Sequence, residues 1–288
     1  MIYQDLTITA VSIRWDDAEL FRYVYQPDDA ILDSPRPYLH PVRTLDGDLV
    51  SIFRPHDHVW HKGISLAFPN VGPYNFWGGP TYLRDQGYVQ LPNNGTTRHD
   101  DFDIAKDGLL TERLTWLTPD DEPIAAENRV IEVSGWPADD AWRLRFETTV
   151  RNISPEPLRF GSPTTEGREN AGYGGLFWRG PRSFTGGTVI TPEATGGDEL
   201  MGIRAPWLAF AGQHDGTARW STLIFTDDPA IPGQWFVRST PFAAVCPAPF
   251  FATEYSLGSG ETLTRRYGVI VCSGQRDTAG CAELAGRG

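Results

Sequence analysis

Apolar and polar residues alternate along much of this 288-residue chain, and the helical spacing i, i+3, i+4, i+7 is rare. The clearest run is Trp142-Arg143-Leu144-Arg145-Phe146-Glu147-Thr148-Thr149-Val150, whose apolar members fall on one face of a pleated strand. Similar runs cover Leu6 to Arg14, Arg129 to Ser134, Ser221 to Thr226, Trp235 to Arg238 and Thr262 to Cys272. Between them lie turn-forming residues, consistent with 30 glycines and 23 prolines. Only the tail from Thr278 to Leu284 spaces its apolar residues as a short helix would. With no alternation of strands and helices, the pattern predicts an all-β fold, a large antiparallel β-sandwich formed as one domain over residues 1–288.

Composition adds a core and removes several functions. Fifteen Phe, ten Tyr and ten Trp supply enough apolar surface to bury without staples. A net charge of −12 repels polyanions, which argues against nucleic acid and against an anionic membrane surface. The same balance points to a neutral or small substrate. No stretch approaches the roughly 20 apolar residues of a membrane helix, and the N-terminus lacks the basic and apolar regions of a secretion signal. Cys246, Cys272 and Cys281 are an odd set without metal-site spacing, read as reduced thiols in a cytoplasm, two of them in the core. Without a GxGxxG turn or a P-loop, no nucleotide cofactor is expected. Exposed strand edges leave a homodimer open.

The strongest local signal is Arg54-Pro55-His56-Asp57-His58-Val59-Trp60-His61-Lys62-Gly63, with three of the six histidines in six positions. If this segment continues a strand from Leu49 to Phe53, His56 and His58 point to one side, and a turn at Trp60 brings His61 round. Imidazoles gathered in this way suit one divalent ion such as zinc or manganese, with His56, His58, His61 and His40 as the ligand set. Alternatively the histidines cap turns, or one serves as a general acid or base near neutral pH, with Asp57 orienting it. His40 lies between Pro37 and Pro41, in backbone held extended. His214 reads as a hairpin tip and His99 stays open.

Residues 70–94 are rich in aromatics and amides, a combination that suits the C–H faces and hydroxyl edges of a sugar. Trp77, Asn75, Tyr82, Gln90 and Asn93 are its candidate substrate contacts, although at least about half of such aromatics are expected to be core. A second irregular stretch, residues 161–187, carries Glu166, Glu169, Arg168, Arg179 and Arg182. Arg179 joins the substrate-binding candidates, and Glu166 is the carboxylate assigned to acid/base work with His61 and His58.

Three segments, Arg36-Pro37-Tyr38-Leu39-His40-Pro41-Val42, Arg54 to Ile64 and Asn75-Phe76-Trp77-Gly78, resemble a bacterial family labelled PmoA-like, or methane oxygenase PmoA, over nearly the whole chain. That family is similar to galactose mutarotase-like supersandwiches. Phe146 to Pro155 resembles their central strand and following turn, and Leu257 to Tyr267 their closing hairpin. The resemblance implies a supersandwich fold and, through association with sugar-catabolism genes, a carbohydrate or oxidised-sugar substrate. A mutarotase would pair a carboxylate with a histidine across the ring oxygen and the C1 hydroxyl, parts that Glu166 and His61 or His58 would take here.

The leading expectation is a carbohydrate-active enzyme of the cytoplasm, a hydrolase, lyase or epimerase using acid/base chemistry with or without a metal ion. A non-catalytic sugar-binding or regulatory sandwich is the second reading. A copper-dependent oxygenase, as the family label asserts, is the third.

Overall fold

The structure, a computed structural model, describes residues 2–104 and 108–287. Strand-forming alternation collects into two large antiparallel sheets. The first has eight strands in the order Ile2–Leu6, Ala10–Trp15, Ala18–Val24, Tyr38–Val42, Ile64–Ala67, Gly175–Arg179, Ala244–Ala248 and Gln234–Arg238. The second has nine, and its centre is built by the long strands Thr262–Ser273, Ala141–Asn152, Pro123–Trp136 and Leu109–Leu117. The expected strands lie inside observed ones except Leu49 to Phe53, which forms only isolated bridges, and Leu6 to Arg14, which a hairpin interrupts. There the Thr7 hydroxyl and the backbone of Ala10 close a turn, leaving Ile8 at an exposed tip. The expected C-terminal helix is Thr278–Ala285, capped by the Asp277 carboxylate accepting from Gly280 N at 2.8 Å.

Alternation decides which side of each strand faces which core. In Ala141–Asn152 the buried Trp142, Leu144, Phe146 and Val150 enter the main core between the sheets, where Trp142 stacks on Phe21 of the opposite sheet at 5.7 Å. Two further apolar clusters coat the outer faces. On the nine-stranded sheet, Cys281 and Leu284 of the helix cover Trp207, Ile224, Ile270 and Cys272. On the eight-stranded sheet, Phe177, Phe236, Ala244 and Cys246 meet Trp77 and Phe251. Gly175–Arg179 is thus buried on both faces, Leu176 and Trp178 inward, Phe177 outward. All three thiols are buried and free.

A polar bridge crosses the main core. Glu127 accepts from Arg129 Nε and Trp116 Nε1, each at 2.8 Å, and from the Thr148 hydroxyl at 2.9 Å. Arg129 Nη1 donates to the Tyr23 hydroxyl of the other sheet at 2.8 Å, and that hydroxyl donates to Glu112. Removing one member of such a buried set leaves the others desolvated and unpaired. Glu127→Ala is therefore expected to cost about 3–5 kcal/mol in urea unfolding; a loss under ~1 kcal/mol would show that the bridge is not coupled in this way.

Candidate functional site

The segment expected to continue a strand into the histidines forms two tight turns instead. Leu49 and Phe53 make only isolated bridges, to Arg43 and Lys62. From Arg54 onward, His58 N bonds to Pro55 O and His61 N to His58 O, each at 3.0 Å, and Arg54 N closes the loop on His61 O at 2.9 Å. The spacing that matters is consequently three residues, not two. His58 and His61 stack with ring centroids 4.6 Å apart and planes 8° from parallel. His56 turns away to meet Arg182, whose Nη2 donates to its Nδ1 at 2.7 Å. Gly63 ends the loop at φ +56°, where a Cβ would sit 2.1 Å from Leu39 O, so no other residue fits there.

Arg179, at the outer end of Gly175–Arg179, sets the protonation of this pair. Its Nη1 donates to His61 Nδ1 at 2.8 Å and its Nη2 to Asp57 Oδ2 at 2.7 Å. A guanidinium offers no lone pair, so His61 Nδ1 is the acceptor and the neutral ring carries its proton on Nε2. His58 Nδ1 lies 3.1 Å from the same Asp57 oxygen. Burial alone would raise the Asp57 carboxyl, but hydrogen bonds from Arg179 and His58 and the Arg179 charge outweigh it and hold it well below the usual carboxylate range. An ionised carboxylate only accepts, so His58 carries its proton on Nδ1 and leaves Nε2 as a free base. Burial, then the neighbouring His58 and Arg179 charges, pushes His61 well below its ordinary value; burial also lowers His58, against the pull of Asp57. At neutral pH the two stacked rings present one acceptor and one donor.

Both rings line a cavity of about 540 Å³ on the outer face of the eight-stranded sheet. Phe177 and Phe236 rise from the sheet beneath it, and Trp77, Trp60, Tyr173 and Phe242 wall it. Trp77 packs on Tyr173 at 4.5 Å and on Phe177 at 4.7 Å. The Arg179 guanidinium lies over the Phe242 ring at 3.8 Å. Gly78 and Gly79 let the 75–80 loop approach Trp60, since a Cβ on either would come within 2.7 Å of that side chain.

The other sequence candidates fall elsewhere. Asn75 is buried and fully used by its own loop, its Oδ1 accepting from Trp77 N and Gly78 N and its Nδ2 donating to Gly79 O and Thr81 Oγ1. Asn93 ties to Pro73 O and Thr81, and Gln90 to Leu91 O and Asn94, so these amides hold the loop together. Tyr82 packs edge-on against Tyr88, and it is Tyr88 that faces the cavity. Glu166 sits in a turn anchored on Ser162 O and is not among the residues lining the cavity. His40 is separate, bonded to Ser51 at 2.9 Å and stacked on Phe53. The four proposed metal ligands do not converge, and no group of three or more His, Cys, Asp or Glu among the described residues is arranged to hold an ion. The His61 Nδ1 lone pair is moreover taken by a cation. Arg168, Tyr173, Arg238 and Phe242 line the cavity without having been singled out as site residues. The irregular 161–187 stretch signalled the first two, whereas nothing in the alternating run to Arg238 signalled the others.

A family model matches residues 10–286, nearly the whole chain, and its description is a family of unknown function, DUF6807. The chain belongs to that family. The methane oxygenase label has no counterpart in the DUF6807 description. No curated protein matches this DUF6807 member in sequence. Among solved structures it is similar to the Slr1438 protein from Synechocystis sp. PCC 6803, with 12% identity over 95% of this chain and 96% of that one and a TM-score of 0.45. It is also similar to a provisionally assigned aldose 1-epimerase from Klebsiella pneumoniae subsp. pneumoniae, at 10% identity over 99% and 86% with a TM-score of 0.39. Heparan sulfate lyase HepC from Pedobacter heparinus is a third, at 8% identity, 96% coverage and a TM-score of 0.40, and the DUF6807 chain spans 35% of its length. These likenesses assign no activity. No helix among the described residues is long and apolar enough to cross a membrane.

Three buried or half-buried histidines give this DUF6807 protein a pH signature. His58 and His61 are depressed, and burial followed by the Arg43 and Arg22 charges brings His40 down to about 4. The unfolded chain, with histidines near 6.5, binds protons first as pH falls, so this stabilisation is complete above about 6.5 and is lost progressively below it. Thermal melts from pH 7.5 to 4.5 are expected to show a falling Tm, with a shallower fall in His61→Gln and His40→Gln. A flat profile would contradict the neutral, buried state of these rings.

Proposed function

We propose that the protein is a carbohydrate-active enzyme that moves protons on a small sugar using its own side chains. His58 is the general base, taking a proton on Nε2 while Asp57 holds Nδ1–H and stabilises the imidazolium that forms. His61, fixed by Arg179 with its proton on Nε2, donates a hydrogen bond to the oxygen on which negative charge develops. The observation that carries this reading is the stacked pair with opposite tautomers opening onto one cavity. A base and a donor held side by side are what proton abstraction, epimerisation and elimination require. Carbohydrate fits because the walls are aromatic faces with few charged groups among them, suited to stacking on sugar C–H surfaces.

The metal-assisted variant is less favoured, because His61 gives its Nδ1 to Arg179 and the guanidinium would oppose a cation at that spot. Glu166 is not needed in this scheme, since Asp57 supplies the carboxylate.

The test incubates the protein with a panel of aldoses, sugar acids and glycosides and follows product formation by proton NMR. His58→Asn should reduce turnover by roughly 10²–10⁴-fold, as expected for a lost general base, with a melting curve unchanged above about pH 6.5. Asp57→Asn should lower it by at least about tenfold by weakening the orientation of His58. The rate should rise with pH as His58 loses its proton, and chelation with EDTA should leave it intact. Binding of sugars without turnover, indifferent to His58→Asn, would support the non-catalytic sandwich instead.

A further inference from the structure

The chain as a whole carries a charge of −12, yet the cavity does not share its sign. Among the described residues its lining includes Arg168 and Arg238 and no aspartate or glutamate. Arg168 is exposed, lies with its guanidinium 4.7 Å from the Tyr88 ring centre, donates to the Tyr88 hydroxyl and pairs with no carboxylate among the described residues. Tyr88 is in turn hydrogen-bonded to Tyr173 at 2.9 Å, which fixes the arginine at the mouth. Arg238 extends from the end of Gln234–Arg238, donates to Asn170 O at 3.0 Å and, among the described residues, has only a distant counter-charge, Asp198 at 3.9 Å. Each guanidinium thus keeps donors in reserve beyond those the protein uses. Two half-engaged guanidiniums therefore line the same aromatic cavity as the stacked histidines.

We infer that the ligand is an anionic sugar, a sugar acid whose carboxylate is held by Arg168 and Arg238 while its ring packs on the aromatic wall. The inference rests on the cavity being the sugar site proposed above and narrows its substrate class. A carboxylate's two coplanar oxygens match the paired N–H donors of a guanidinium, and a phosphate monoester offers oxygens of the same kind.

Isothermal titration calorimetry of the full chain at low ionic strength would compare glucuronate, galacturonate and gluconate with glucose and galactose. At least one acid should bind about tenfold or more tightly than its neutral counterpart, the ratio expected for one charge-assisted contact. That preference should shrink as salt rises and largely vanish in Arg168→Gln, with Arg168→Lys recovering part of it. Arg168 is exposed, so its replacement leaves folding intact. Equal affinity for acids and neutral sugars, or a preference that survives both Arg168→Gln and Arg238→Gln, would overturn the inference. Tighter binding of a hexose phosphate than of any acid would overturn the carboxylate. The two proposals separate cleanly: arginine-dependent acid binding without products sinks only the enzymatic reading, whereas His58-dependent turnover of neutral sugars with no preference for acids sinks only this one.

Discussion

A single buried cation organises the site. Arg179 stands on the outward face of a strand covered on both sides, with only 1% of its side chain exposed. A guanidinium in that position has to be met by an anion and by acceptors, or the strand could not be buried there. Asp57 provides the charge and His61 the lone pair, and both come from the loop that Gly63 and the paired turns fold against the strand. Meeting the arginine therefore fixes the loop, the tautomer of each imidazole and the ionisation of the carboxylate together. The chemistry available at the cavity follows from pairing Nη1 and Nη2 of that one side chain.

Much of the fold was legible because period-two alternation survives burial on one face, as Trp142 to Val150 does. It failed at Leu6 to Arg14, where a hairpin interrupts a run whose alternation continues through the turn. The site was legible only in outline. Three histidines in six residues marked the place, but a strand-like reading paired His56 with His58, whereas the turns that pair His58 with His61 depend on hydrogen bonds to Gly63 and Arg179 that no local pattern announces. Asn75, Gln90 and Asn93 looked like sugar ligands because amides that knit a loop and amides that bind hydroxyls have the same composition. Glu166 was attractive for its surroundings in sequence, and Asp57 reaches the histidines because it lies within the same loop.

Net charge and cavity lining point in different directions. At −12 the chain points to neutral ligands, since charges summed over a surface describe the far field. In physiological salt, however, charges more than about 8 Å away are largely screened. What an entering molecule feels at the mouth is Arg168 and Arg238, with the ionised Asp57 compensated by Arg179 and Arg182. An acidic surface is therefore compatible with a cavity lined by arginines, and the contrast itself disfavours non-specific capture of polyanions.

The charge of Arg179 bears on the histidines. A base is useful only while unprotonated, and burial together with Arg179 keeps both rings neutral, so His58 is poised to accept a proton and His61 to donate a hydrogen bond. Asp57 pulls the other way and limits the depression on His58 but reaches His61 less directly. Two identical side chains, stacked within one loop, are thereby given different roles by which of their Nδ1 atoms meets a carboxylate and which meets a guanidinium. That asymmetry requires Arg179 and Asp57 together: without the arginine His61 would be free to take either tautomer, and without the carboxylate the His58 proton would have no reason to stay on Nδ1.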